Sequence, residues 1–294
     1  MIDEMGDKGT LGAIIGDEPI EKIAESFQFT EGPIWVPEGH LLFSDIPADT
    51  IYKWNPGTGK HEVFRNPSGP SNGLTLDLQG RLLACELSCR VSRTEADGEV
   101  ITLAEKYKGR RINSPNDIVV KSDGGVYFTD PAYGLRRTGL SKELDFNGVF
   151  RIEPNGDLSL LDATFEGPNG LAFSPDESIL YVDDSSMGHI RAFDVKDDGA
   201  LTNGRLFAVL RGPGEGVPDG MKVDTQGNIY CTGPGGIWIL DKDGKKLGIL
   251  SFPEAPSNLA WGDNDLKTLY VTARTGVYRV HTRIQGATLL SPLH

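Results

Sequence analysis

NDIVVKSDGGVYFTD, residues 116–130, reads as a small polar opener, a short apolar strand, a Ser-Asp-Gly turn and a second apolar strand ending on Asp. Five more stretches superimpose on it: EGPIWVPEGHLLFSD (31–45), NGLTLDLQGRLLACE (72–86), NGLAFSPDESILYVDD (169–184), DGMKVDTQGNIYCT (219–232) and SNLAWGDNDLKTLYVT (257–272). Their starts lie 38 to 53 residues apart, around the length of one four-stranded propeller blade. The repeat predicts an all-β, six-bladed β-propeller with four-stranded blades. Blade six lacks a fourth strand in its own sequence. The segment IEKIAESF (20–27) is expected to supply it, closing the ring by pairing with strands from the C-terminal end and leaving no open sheet edge. Residues 19–294 then form a single domain behind a loose arm, 1–18, while the tail QGATLLSPLH (285–294) has no place in the repeat.

The composition of the 294-residue chain, 38% hydrophobic and 24% charged, is that of an ordinary globular protein, and 37 Gly with 18 Pro suit a fold rich in tight turns. A net charge of −13 argues against nucleic acid as a partner, because that affinity comes from Lys and Arg neutralising phosphates. No stretch reaches the roughly 18 apolar residues of a membrane span, and the acidic N-terminus does not read as a signal peptide. The sequence is therefore expected to be cytoplasmic, away from membranes, and a monomer or weak homodimer. Cys85, Cys89 and Cys231 form no C-x-x-C spacing and read as small buried hydrophobes.

In a propeller the first strand of every blade lines the central channel, and all six start from the same end. The openers Glu31, Asn72, Asn116, Asn169, Asp219 and Ser257 should thus ring one mouth, and each carries a side-chain oxygen. Such an oxygen-only set, with a charge near −2, suits a hard divalent cation, Ca²⁺ first, with Zn²⁺, Mg²⁺ or Mn²⁺ as alternatives. Asn and Asp also open strands because they make good turns, but Glu31 has no such local reason to be there. The loops joining second to third strands emerge at the same mouth and bring Glu86, Asp130, Tyr133 and His189, with Arg136 and Arg137 on the long excursion PAYGLRRTGLSKELDFN (131–147). Arg110 and Arg111 precede Asn116 on the adjoining connection. A cation site ringed by hydroxyls, carboxylates and arginines suits a polar, oxygen-rich small molecule.

TEGPIW (30–35), RRINSPNDIVVKSDGGVYFTDPAYGL (110–135), PNGLAFSPDE (168–177), VPDGMKVDTQGNIYCTGPGGI (217–237) and SNLAWG (257–262) together resemble the gluconolactonase, regucalcin (senescence marker protein) and luciferin-regenerating family of calcium-dependent six-bladed propellers. The likeness is nearest to the bacterial gluconolactonases. It implies that Glu31, Asn169 and Asp219 bind the metal, that Asp219 is also the proposed base, and that Asn116 contacts metal or substrate. Where regucalcin-like members carry Arg-Phe before the Asn-Asp pair, this chain has Ser114-Pro115, leaving Arg110 or Arg111 as candidates for the missing arginine. The expected activity is metal-dependent hydrolysis of a sugar lactone, a gluconolactone-like aldonolactone, to its acid. The metal would polarise the carbonyl and Asp219 would activate water. Asn116, Asn72, Asp130, Tyr133, Glu86, His189 and Arg111 are the expected substrate contacts. Two readings stay open beside it, a non-catalytic calcium-binding scaffold and an esterase or organophosphatase-type propeller hydrolase. Asn72 and Ser257 either touch substrate or simply start a strand.

Overall fold

The computed structural model describes residues 8–288. Among these, six four-stranded antiparallel sheets form the blades. Blade one comprises Thr30–Val36, His40–Asp45, Thr50–Asn55 and Lys60–Arg65, and blades two to five repeat the pattern through Ser71–Ala104, Ile118–Phe165, Pro168–Val209 and Met221–Leu250. Blade six is built from Asn258–Gly262, Thr268–Ala273 and Gly276–His281, with Glu21–Glu25 as its outermost strand. That strand runs antiparallel to the last one, with Glu21 opposite Arg279 and Glu25 opposite Gly276. The Arg279–Glu21 and Lys22–Glu254 ion pairs lie across the closure. The structure therefore has the expected blade number, strand number and ring closure.

Burial follows strand position. The innermost strands are almost wholly buried, as in Asn258–Gly262, whereas Lys60–Arg65 on the outside of blade one is mostly exposed. Neighbouring blades pack face to face through apolar clusters; at the seam between blades one and six, Trp35 stacks on Tyr270 with ring centroids 5.2 Å apart. Cys85, Cys89 and Cys231 are free and buried, as the sequence suggested.

Two segments without a place in the repeat take up positions on the ring. The described part of the arm contains a short helix, Lys8–Ile14, and Ile14 and Ile15 pack among Tyr230, Ile237 and Trp261 of blades five and six. Ile15 also bridges to Thr282. Seven residues make only two turns, too few to give a readable period. The tail crosses beneath blade five, where Gln285 accepts from the Thr225 amide and the Ala287 amide donates to the Val223 carbonyl. Residues 1–7 and 289–294 lie outside the described part.

At the axis, backbones of adjacent blades come into direct contact. The Gly73 amide donates to the Asn116 carbonyl at 2.8 Å and the Gly220 amide to the Ser257 carbonyl at 2.7 Å. Hydroxyls do the same between other blades, Ser44 to the Asn72 carbonyl and Thr129 to the Asn169 carbonyl. The residue after each opener must therefore be small in most blades. A Cβ on Gly170 would sit 2.1 Å from the Asp219 carbonyl oxygen, and one on Gly32 would sit 2.0 Å from that of Asn72. Gly170→Ala should consequently lower stability by about 3 kcal/mol, the upper end for overpacking against backbone that has no room to shift. Gly12→Ala, in the short helix and with nothing within 4 Å of the new methyl, should be neutral or stabilising by up to ~1 kcal/mol. Urea unfolding of the two variants tests the contrast.

Candidate active site

The cross-blade contacts fix the openers, and so decide which side chains meet at the axis. Glu31 is 3% exposed, and Asn72, Asn116, Asn169 and Ser257 are likewise buried. Asp219 alone among the openers keeps partial contact with solvent. The three asparagines form a directional chain: Asn72 Nδ2 donates to Asn116 Oδ1, and Asn116 Nδ2 donates to Asn169 Oδ1. Asn169 Nδ2 in turn donates to Ser185 Oγ at 2.9 Å, and its amide also stabilises the Asp219 carboxylate. Ser257 takes no part in this chain. Its hydroxyl donates to the Thr30 carbonyl at 2.7 Å and so joins blade six to blade one.

The Glu31 and Asp219 carboxyls act on each other electrostatically at this mouth, and the Lys222 ammonium offsets part of the cost on Glu31. Burial first, and then the charge of Asp117, pushes the Glu31 carboxyl up from 4.5 to about 7. Protein packed around the Asp219 carboxyl, and then the Glu31 charge, raises Asp219 well above the usual carboxylate range. Asp183 is fully buried behind them, its Oδ1 without a hydrogen-bond partner; burial and the Asp219 charge raise it too. Carboxylates so crowded and desolvated are a standing electrostatic cost that a bound cation would relieve. Among the described residues no three His, Cys, Asp or Glu side chains form a metal cluster by themselves. The donors gathered here are two carboxylates and a set of amide oxygens, which is hard-cation chemistry.

A second layer lies directly beneath the openers. Four blades have glycine after the opener, but blade three has Asp117 and blade six Asn258. Asn258 Nδ2 donates to Glu31 Oε2 at 3.0 Å and lies 3.5 Å from Asp117 Oδ2. From below, Lys222 Nζ lies 3.4 Å from Asn258 Oδ1 and 3.9 Å from Asp117 Oδ2. Sequence reasoning passed over Asp117, Asn258 and Lys222. The signal available was the break in the glycine pattern at 117 and 258.

Several residues expected at the substrate are already engaged elsewhere. Glu86 is fully buried and holds Arg90 at 2.5 Å and Arg65 at 3.4 Å, while Ser92 Oγ donates to it. Asp130 Oδ2 accepts from the Asn113 amide at 2.7 Å, and burial pushes this carboxyl up to about 7. Asp45 and Asp184 make equivalent contacts to the Gln28 and Glu166 amides. In each of these three blades, therefore, the carboxylate ending the second strand ties down the segment entering the first. Arg111 donates to the Ser141 carbonyl and pairs with Glu143, and Arg110 pairs with Asp145, so both arginines brace the long loop. That loop carries the helix Leu135–Thr138 and places Tyr133 at the rim, 42% exposed, with its hydroxyl donating to the Gly167 carbonyl at 3.0 Å. His189 opens the third strand of blade four opposite Asp184 and is half-buried, which lowers its pKa.

These features define a class: a six-bladed propeller whose axial mouth collects buried carboxylates and amides under a loop-built rim. Residues 29–275 match the model of the family described as SMP-30/Gluconolactonase/LRE-like region. The chain is 39% identical to a gluconolactonase of Zymomonas mobilis over 91% of its own length and 82% of that protein's. It is 28% identical to the pentonolactonase XacC of Haloferax volcanii, covering 85% of this chain and 83% of that one. Among solved structures, a gluconolactonase from Xanthomonas campestris superimposes with a TM-score of 0.87 at 34% identity, covering 94% of this chain and 93% of that one. The chain belongs to the SMP-30/gluconolactonase/LRE-like family.

The raised carboxyl of Glu31 fixes the direction of a pH effect. A carboxyl with a higher pKa folded than unfolded binds more protons when folded, so its burden is absent below about 4.5, grows as pH rises from there to about 7, and is fully present above. With divalent cations chelated, Glu31→Gln should thus be more stable than the parent at pH 8 by on the order of 2 kcal/mol. The two should converge near pH 4. Denaturant melts across this range check the sign.

Proposed function

We propose that this protein is a lactonase that opens a sugar lactone, of the gluconolactone type, to the hydroxy acid. The observation that supports the site assignment is the axial cluster, in which the Glu31 and Asp219 carboxyls act on each other and the Asn169 amide stabilises Asp219, in a chain whose relatives include a gluconolactonase and a pentonolactonase. These three side chains suit a divalent cation, calcium before zinc, magnesium or manganese, because all offer hard oxygen and none offers sulfur or imidazole. When bound, the cation would supply Lewis-acid polarisation of the lactone carbonyl, a contribution of several kcal/mol.

The remaining chemistry falls to the chain itself. Water adds to the carbonyl carbon, the ring C–O bond breaks, and the ring oxygen leaves as a hydroxyl that needs a proton. Asp219 is the opener that keeps partial contact with solvent, and burial raises its carboxyl above the usual carboxylate range, the direction a general base requires. It takes the proton from the attacking water and can return it to the leaving oxygen. Glu31 and Asn169, both buried, hold their positions during this exchange. Asn116 and Asn72 present amides beside them for the polar oxygens of the substrate, and Tyr133 at the rim offers a hydroxyl and a ring face.

Asp219→Asn should keep the fold and reduce kcat for sugar lactones by about 10²–10⁴-fold, the usual weight of a positioned base. The parent protein, stripped with chelator and resupplied in turn with Ca²⁺, Zn²⁺, Mg²⁺ and Mn²⁺, should recover turnover only with a cation present. Full turnover by Asp219→Asn would overturn the base assignment. No turnover of any sugar lactone with any of the four cations would favour a non-catalytic propeller.

A further inference from the structure

We propose that Asn258, a residue of the layer below the openers, is the positioning residue that aims Glu31 at the cation. The inference rests on the reading that Glu31 holds a divalent cation, and it concerns how the protein orients that ligand.

The side chain of Asn258 has one possible orientation. Its Oδ1 accepts the backbone amide of Leu259 at 2.8 Å and faces the Lys222 ammonium at 3.4 Å. Both partners are donors, so the NH₂ end must point the other way, toward carboxylates. There it donates to Glu31 Oε2 at 3.0 Å and approaches Asp117 Oδ2 at 3.5 Å. One amide thus stands between two negative groups that would otherwise repel each other. The same Glu31 oxygen accepts the Gly32 amide at 2.5 Å, so two N–H groups occupy Oε2 and leave Oε1 as the oxygen free to bind. The space for this arrangement is built into blade five, where a Cβ on Gly220 would lie 2.2 Å from the Asn258 amide.

Four of the six blades do without a side chain at this position. Blades one, two, four and five place Gly32, Gly73, Gly170 and Gly220 there, so Asn258→Gly restores the common pattern. A residue that orients a metal ligand through a hydrogen bond governs cation affinity more than stability, and loss of such a partner costs about 10–100-fold in affinity.

The test is calorimetric titration of Ca²⁺ into chelator-stripped protein, for the parent, Asn258→Gly and Asn258→Ala. Thermal melts in chelator and turnover of gluconolactone as a function of Ca²⁺ accompany it. The expected result is a Kd raised roughly 10–100-fold in both variants, melting temperatures in chelator close to the parent's, and lost turnover that returns as Ca²⁺ is raised. If the parent binds Ca²⁺ and both variants bind it equally well, the assignment of Asn258 fails while the metal reading stands. Unfolding of both variants in chelator would also overturn it, by making Asn258 a structural residue. A parent that binds no divalent cation at all would remove the metal reading and this inference with it.

Discussion

The close approach of neighbouring backbones at the propeller axis is the constraint on which the site depends. Amide-to-carbonyl bonds such as Gly73 to Asn116 and Gly220 to Ser257 hold the inner strands against one another. There is no room there for a side chain on Gly32 or Gly170. Once those backbones meet, the side chain one residue earlier turns to the mouth of the channel in blades one to five, while Ser257 of blade six bonds across the seam to Thr30. A structural rule about glycine thereby becomes a chemical rule about which oxygens converge. A site carried on packed strands also keeps its geometry better than one carried on loops.

The same convergence creates an electrostatic problem. Glu31, Asp219, Asp183 and Asp117 lie within one small region, and Lys222 is the cation that acts on Glu31 from within the protein. The amides of Asn169 and Asn258 offset part of the repulsion by donating to the carboxylates. The remainder leaves Glu31 and Asp219 reluctant to ionise together in the cation-free protein. Local instability of this kind is common at functional sites, where the surrounding fold holds a constellation that would not assemble by itself.

Much of this was legible in the sequence, for physical reasons that differ by feature. The six-fold repeat is a direct imprint of strand and turn chemistry, so blade number, strand number and even the closure by Glu21–Glu25 could be read from it. The openers were legible because position in a repeat equals position on the ring. The second layer was harder to see: Asp117 and Asn258 align with glycines, and their meaning lies in contacts reaching across the channel to Glu31 and Lys222. Glu86, Asp130 and Arg111 show the opposite difficulty. Their places near the mouth were evident, but sequence does not tell whether a carboxylate or guanidinium faces a substrate or, as here, Arg90, a backbone amide or the long loop.

The most direct measurement is an anomalous-difference Fourier map from crystals grown with Mn²⁺ as a stand-in for the native cation. One strong peak is expected on the propeller axis, within coordination distance of Glu31, Asn169 and Asp219. A map with no peak there, or with its strongest peak against other residues, would contradict that expectation.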